Sequence, residues 1–226
     1  YNNVISMINS YETFLGKSVI DVVRIIQQRP RMWLYPVTLT GLYNVILGFE
    51  LNTRLVSDPP FYYFTLWVAH KLNESSNRGW CSLILELCDN NEEKAFHKFY
   101  ELLNEFALIK PEAIHAADLT EDNFELYYSK THSKPYRLLG YNMDKDKRVY
   151  LPAPYHIKVI EYDFACFAYY YDFYFAAGDT KKGKYDWYYD NLDDCKEKIE
   201  NRYGSLEWFR TDASDINYEE LREWLK

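Results

Sequence analysis

The chain has 226 residues, of which 48% are hydrophobic and 19% aromatic, enough to build one large buried core or two small ones. This composition excludes an intrinsically disordered chain, and the net charge of −8 disfavours direct binding to nucleic acid. Apolar runs stay short of the roughly 20 residues that cross a bilayer. Since the sequence also has no signal-peptide pattern and no Cys-x-x-Cys pair among its four cysteines, it predicts a cytoplasmic protein with reduced thiols and no membrane partner.

The first half of the sequence predicts a series of amphipathic helices. In residues 17–28, Val19, Val22 and Ile26 recur at helical spacing behind Ser18, a suitable N-cap. Pro30 must end this helix because proline cannot donate the next backbone hydrogen bond. Further helices are predicted over residues 38–55, 61–72 and 92–109, whereas the short apolar run 80–87 fits either a helix or a strand.

Several pieces of this half resemble a group of small bacterial helical proteins. The pieces are RPRMWL, a helix ending in LGFELN, then FTLWVAHKL, RGWCSLILEL and EEKAFHKFYELLNEF. They match an R-P-x-M-[YW]-[IL] opening, a central F-x-x-W-V-A-x-K-[YLF] helix and a G-W before the final helix. Such proteins resemble the immunity partners of polymorphic or contact-dependent toxins, and the resemblance covers roughly residues 17–108. It implies a role in binding a protein and carries over no catalytic residue.

The same opening is also similar to that of gyrase-type ATPase domains, R-x-R-P-G-M-Y-I-G. Arg31 and Tyr35 stand where that pattern has its two glycines. The segment Glu50-Leu51-Asn52 lacks the spaced Glu and Asp-Asn that activate water and hold magnesium in those domains. The sequence therefore disfavours a nucleotide-binding site.

The second half predicts a β-rich region. Residues 114–122 are predicted to be a linker or short helix, which divides the chain into a helical domain, 1–113, and an α+β domain, 114–226. Strands are predicted over 123–129, 136–141, 148–151, within 156–178, and over 185–189 and 206–209, with a hairpin turn at 179–184. Helices are predicted over 191–204 and 215–226. The predicted class is α+β: an N-terminal helical bundle, then an antiparallel sheet region with one or two C-terminal helices.

Aromatic and acidic residues are concentrated in residues 161–190. This stretch holds eight tyrosines, four phenylalanines and a tryptophan among six carboxylates. Tyr and Trp join a large apolar body to a polar tip, which is why they are enriched at protein interfaces. The surrounding half is also acidic, since residues 111–226 carry 16 basic and 23 acidic side chains. The pattern favours a recognition surface, and an ordinary strand pair with an aromatic outer face is the open alternative.

Together these features predict an immunity-type protein, which binds a cognate bacterial toxin and covers its active site or substrate groove. Many intracellular toxins are nucleases with cationic surfaces, so we expect a basic protein partner. Alternation along a strand allows only about half of the candidate contact residues to face outward. The candidate contact residues are the aromatic Tyr169, Tyr171, Trp187 and Tyr189 and the acidic Asp163, Asp172, Asp179, Asp186 and Asp190.

The sequence predicts no catalytic residue, cofactor or metal site. Its five histidines are isolated from one another and lack metal-ligand spacing. Cys81 lies in an apolar run, where burial is expected to keep its thiol inert. Two alternatives stay open: an enzyme that acts on a sugar or nucleotide in an interdomain cleft, and a homodimeric interaction module. The sequence does not determine the oligomeric state.

Overall fold

A computed structural model of the chain describes residues 18–52, 61–120, 123, 136–142, 147–152, 154–173 and 181–225. It confirms the predicted α+β class, because these residues form eight helices and an antiparallel five-stranded sheet. Residues 124–129 of the strand predicted over 123–129, and residues 179 and 180 of the turn predicted over 179–184, lie outside the described residues. The helices are α1 Val19–Gln28, α2 Pro30–Trp33, α3 Leu39–Asn52, α4 Phe64–Leu72, α5 Gly79–Leu87, α6 Glu92–Phe106, α7 Leu192–Tyr203 and α8 Tyr218–Leu225.

The chain divides into two compact units. The helical unit takes the residues up to Ile109 and those from Asn217 onward, and the sheet unit takes Lys110–Ile216. Helix α8 therefore belongs to the helical unit, whereas the predicted division at residue 113 places it in the second domain. The short run whose structure the sequence left open is the helix α5.

The first helix begins and ends where the sequence predicts. The Asp21 backbone N–H donates to the Ser18 Oγ at 3.1 Å, and the Ser18 N–H donates to the Asp21 carboxylate at 3.2 Å, which completes a capping box. After Gln28 the chain leaves the helix, and Pro30 then occupies the first position of the one-turn helix α2. Proline suits this position because its fixed φ is helical and its missing N–H would have no partner there.

Aromatic rings fill the core of the helical unit. The Phe64 ring centroid lies 5.8 Å from that of Trp80, 5.5 Å from that of Phe99 and 5.2 Å from that of Phe106. The Trp67 ring also stacks on that of Phe64, with the two centroids 6.0 Å apart. All five side chains are buried, so α4, α5 and α6 meet around the single ring of Phe64.

The sheet unit contains a five-stranded sheet in the order β6-β5-β4-β1-β7 and a separate two-stranded sheet, β2-β3. Every pairing between described strands is antiparallel. The outermost described strands of the larger sheet are β6 and β7. The strands are β1 Ala113–Asp118, β2 Tyr136–Asn142, β3 Lys147–Pro152, β4 Pro154–Glu161, β5 Cys166–Phe173, β6 Lys181–Tyr189 and β7 Phe209–Asp212.

The prediction of a linker at 114–122 is wrong. Most of that segment is β1, which lies between β4 and β7: Ala113 pairs with Glu161 on one side and with Asp212 on the other. Its alternation is carried by Ala113, His115 and Ala117, which are buried. Alanine is a poor strand former, so the local sequence hides a strand that long-range pairing stabilises. The predicted turn at 179–184 is also partly wrong, because β6 already begins at Lys181 and pairs there with Phe173.

Helix α7 covers one face of the larger sheet and has the ends that the sequence predicts. Its N-cap Asn191 accepts a hydrogen bond from the Asp194 N–H at 2.8 Å, and Gly204 ends it with a φ of 90° that favours glycine. The helix buries its apolar face against the inward side chains of β4, β5 and β6. The core between them comprises Leu119, Ile157, Val159, Cys166, Ala168, Tyr170, Tyr189, Cys195, Ile199 and Tyr203.

Removing the cap of α7 is expected to destabilise the sheet unit. Asn191→Ala leaves the Asp194 N–H without its side-chain acceptor and should lower the free energy of unfolding by about 1 kcal/mol. Asn191→Ser keeps a side-chain oxygen at the cap and should stay near the wild-type value. Urea titrations of the three proteins would measure the difference. Equal losses in both variants would show that the cap bond contributes nothing.

Candidate functional site

An open groove lies between strand β6 and helix α7, and we call it the β6–α7 groove. Its volume is about 750 Å³. Strand β6 is the outermost described strand on its side of the sheet, and α7 starts two residues after it ends, so both walls come from one short piece of chain. The lining residues are Trp187, Tyr188, Tyr189, Asp190, Asp194, Lys198, Asn201 and Arg202.

Three consecutive aromatic residues at the end of β6 differ in exposure. Trp187 is 44% exposed and Tyr188 is 49% exposed. Because side chains alternate along a strand, Trp187 and Tyr189 share the sheet face that α7 covers, and Tyr188 lies on the opposite face. Tyr189 is buried, and its hydroxyl lies 3.3 Å from that of the buried Tyr170. Burial raises the pKa of both phenols. Tyr189 therefore belongs to the core, whereas Trp187 and Tyr188 form an exposed aromatic pair.

The charged groups of the groove are two acids and two bases. Lys198 Nζ bonds the Asp194 carboxylate at 2.7 Å and lies 5.6 Å from the centre of the Tyr189 ring. The Arg202 guanidinium lies 6.0 Å from the centre of the Tyr203 ring. Both bases are thus held by groups of the same unit, and Asp190 is exposed at the groove mouth. The groove is therefore aromatic and mixed in charge, and the acidic excess belongs to residues 111–226 as a whole.

The structure places the nine predicted contact residues in different environments. Trp187 and Asp190 are exposed in the groove, and the exposed Asp163 lies in the turn between β4 and β5. That turn is at the same end of the sheet as Asp190, because Cys166 pairs with Tyr189. By contrast, Tyr169 is 1% exposed, so the prediction that it and the buried Tyr189 serve as surface anchors is wrong. For Tyr171, Asp172 and Asp186 only the backbone in β5 and β6 is described, and Asp179 lies outside the described residues.

Five groove residues are not among the predicted contacts: Tyr188, Asp194, Lys198, Asn201 and Arg202. The four on α7 recur at a spacing of three and four residues, which puts them on one helical face. That spacing is visible in the sequence, but it does not show that the face borders an exposed strand. Tyr188 was missed because strand alternation alone does not show which face is covered.

A buried histidine, His115, lies in the same unit. The sequence shows it only as one of five isolated histidines. His115 Nε2 lies 2.8 Å from the Glu161 carboxylate, and since a carboxylate only accepts, Nε2 carries the proton and donates. Burial lowers the pKa of His115, the bond to Glu161 opposes this, and the charges of Lys196 and Arg210 lower it further. The other ring nitrogen, Nδ1, is buried with no hydrogen-bond partner among the described residues. The fold therefore holds this imidazole neutral.

The cysteines of the chain are poor nucleophiles. Burial raises the pKa of Cys81 to about 11 and that of Cys166 to about 12, and it also raises the pKa of Cys195. A thiol in this range carries almost no thiolate at neutral pH. The inert role predicted for Cys81 agrees with this shift. In the part of the chain that the structure covers, no group of three or more His, Cys, Asp or Glu side chains is placed to hold a metal ion.

Comparison of the chain with family models, with curated proteins and with solved structures finds no match. The groove therefore has to be interpreted from its own geometry. Within the described ranges, no helix combines the length and the apolar character needed to cross a membrane.

Proposed function

We propose that this chain is an immunity-type binding protein, which neutralises a cationic toxin by covering its active site or substrate groove and performs no chemistry itself. One observation carries the proposal: the outermost described strand of the sheet holds two adjacent rings, Trp187 and Tyr188, about half exposed beside the carboxylate of Asp190. Large rings with polar tips are the side chains that most often dominate the binding energy of protein interfaces.

The position of this aromatic pair favours a protein over a small ligand. Trp187 and Tyr188 lie on opposite faces of β6, so a partner that contacts both rings must wrap around the edge of the sheet. The groove is open, whereas sites for small molecules bury most of their ligand. A protein surface can cover both rings and exclude water from them, which is the arrangement typical of interface hot spots.

The charge distribution supports a basic partner. Residues 111–226 carry 16 basic and 23 acidic side chains, and Lys198, one of the bases in the groove, is paired with Asp194. Asp190 and Asp163 are exposed at one end of the sheet, where a cationic surface would meet them. Opposite charges steer such partners together, with association rates that approach about 10⁸ M⁻¹s⁻¹ at low salt.

The proposal is tested by co-expression and by binding. The chain and the protein encoded next to it are purified, and their association is measured by calorimetry at two salt concentrations. We expect a complex that weakens with added salt, and we expect the chain to protect cells that express the partner. A partner that harms cells and is neither bound nor neutralised by this chain would contradict the proposal. Turnover of a sugar or nucleotide by the chain alone would also contradict the proposal.

Truncation of the exposed aromatic pair should weaken this complex. Trp187→Ala is expected to cost about 2 kcal/mol or more of binding free energy, because a central ring of an interface is removed. Asp190→Lys should mainly slow association and reduce its salt dependence. Phe209→Ala is the matched control, since Phe209 is an exposed ring on β7, the outermost described strand at the other side of the sheet. Equal affinity of the Trp187 and Phe209 variants would rule out the β6–α7 groove as the interface.

A further inference from the structure

A second exposed surface lies in the helical unit, in the segment 29–35, which we call the arginine turn. Tyr35 is 100% exposed and Met32 is 66% exposed, and Arg29 and Arg31 are exposed as well. Four of the seven residues form the single turn α2, so these side chains start within a few residues of one another. One exposed apolar side chain is ordinary, but two such side chains next to two arginines form a surface that is both apolar and cationic.

The arginine turn is a basic island in an acidic chain. Residues 22–49 contain three arginines and no aspartate or glutamate. Within the described ranges, neither Arg29 nor Arg31 forms an ion pair. Glu92 reaches the following helix, where its carboxylate accepts hydrogen bonds from the Thr40 N–H at 3.0 Å and from the Thr40 hydroxyl at 2.6 Å. That carboxylate is therefore used to cap α3.

The backbone of the arginine turn is fixed on both sides. At its first residue, the Arg29 N–H donates to the carbonyl of the buried Ile26 at 3.2 Å. Within it, the Leu34 N–H donates to the Pro30 carbonyl at 2.8 Å, and the Leu34 side chain is buried. The exposed side chains thus project from an ordered turn, which lowers the conformational entropy that a partner must remove on binding.

We propose that the arginine turn is a docking surface for a short acidic segment of another protein. Carboxylates of that segment pair with Arg29 and Arg31, whose planar guanidinium groups bind carboxylates with two parallel hydrogen bonds. An apolar side chain of the segment packs against Met32 and Tyr35. This surface lies in the helical unit, whereas the β6–α7 groove lies in the sheet unit, and the two select partners of opposite charge.

The charge of the helical unit favours a short acidic segment over a polyanion. Electrostatic interactions between exposed charges are screened over about 8 Å at physiological salt. A nucleic acid or an anionic membrane extends far beyond this distance and would meet the other charges of the helical unit, in which 14 acidic side chains outnumber 11 basic ones. A short peptide contacts only the arginine turn and avoids that repulsion.

The test uses fluorescent synthetic peptides of alternating glutamate and leucine, titrated against the full chain and followed by anisotropy. We expect binding that weakens with added salt and that falls about tenfold in Arg31→Glu, since an attractive pair becomes a repulsive one. Lys94→Glu is the matched control, because it makes the same change of charge at an exposed position on α6 and should bind like the wild type. Tyr35→Ala should also weaken binding, with no change in melting temperature, because Tyr35 is fully exposed.

Three results would overturn the docking proposal. The first is that the wild type fails to bind the peptides. The second is that the Arg31 and Lys94 variants bind the peptides equally. In the third, a single-stranded DNA oligonucleotide or phosphatidylglycerol vesicles bind in an Arg31-dependent manner and compete the peptides off, which would assign the turn to a polyanion. None of these outcomes affects the toxin-binding proposal, which is tested with variants of the other unit.

Discussion

Replacing Phe64 with alanine is expected to lower the free energy of unfolding of the helical unit by about 4 kcal/mol. The Phe64 ring is buried and packs against five aromatic rings, those of Phe61, Trp67, Trp80, Phe99 and Phe106. Alanine would remove the ring and leave a cavity that these large, mutually packed side chains fill only in part. Since domains are stable by only about 5–15 kcal/mol, the variant should lose much of its stability.

The loss can be measured by urea denaturation followed through tryptophan fluorescence, because Trp67 and Trp80 lie directly against the substituted ring. Leu108→Ala is the control: Leu108 is an apolar side chain of the same unit, but it is largely exposed, so its truncation should change stability little. A Phe64→Ala variant that unfolds at the wild-type urea concentration would show that the aromatic cluster is not the core of this unit.

The second large effect is an acid sensitivity that His115 gives to the sheet unit. Burial lowers the pKa of His115 in the folded chain, whereas the imidazole has a pKa of about 6.5 in the unfolded chain. The unfolded state therefore binds more protons, and this contribution to stability is present above that pH and is lost as the pH falls through the folded-state pKa. A single proton gives a slope of at most about 1.4 kcal/mol per pH unit.

We expect His115→Gln to flatten the pH dependence of unfolding on the acid side of neutrality. Glutamine keeps an N–H donor for the Glu161 carboxylate but cannot take up a proton. His97→Gln is the control, because His97 is exposed on α6 and its replacement should leave the wild-type profile. Urea titrations at a series of pH values would measure the slopes. A wild-type profile that is flat below neutrality would contradict the account of a neutral, buried imidazole.

Local signals in the sequence were enough to predict most of the helices, whereas α2 was not predicted and α5 was left open between helix and strand. N-caps and helix stops act on their own helix. Helix α6 begins directly after the N-cap Asn91, and α7 lies between the N-cap Asn191 and Gly204. Strand β1 was missed because its stability comes from β4 and β7, which are distant in sequence, and because its alanines do not mark a strand. Pairing between β-strands that are distant in sequence leaves little trace in a local window of the sequence.

The candidate surface was predictable only in part. The concentration of rings in 161–190 pointed to the right region, and Trp187 and Asp190 are exposed there. Tyr169 and Trp187 look alike in the sequence, but one is on a strand with neighbours on both sides and the other is on the outermost described strand. Exposure therefore depends on strand order, which long-range pairing sets. The arginine turn, by contrast, could have been noticed from the absence of carboxylates in residues 22–49.

The position of β1 beside β7 also bears on how this chain could be cut and rejoined. The sheet unit starts just before β1 and finishes just after β7, and the Ala213 N–H donates to the Glu112 carbonyl at 3.0 Å. Residues 112 and 213, close to its two ends, are thus only about one strand spacing, roughly 5 Å, apart. A segment whose ends meet can be excised, transplanted into a loop of a carrier protein or circularly permuted with a very short joining peptide. We therefore expect the sheet unit to tolerate excision, which would allow the partners of the β6–α7 groove to be sought in the absence of the arginine turn.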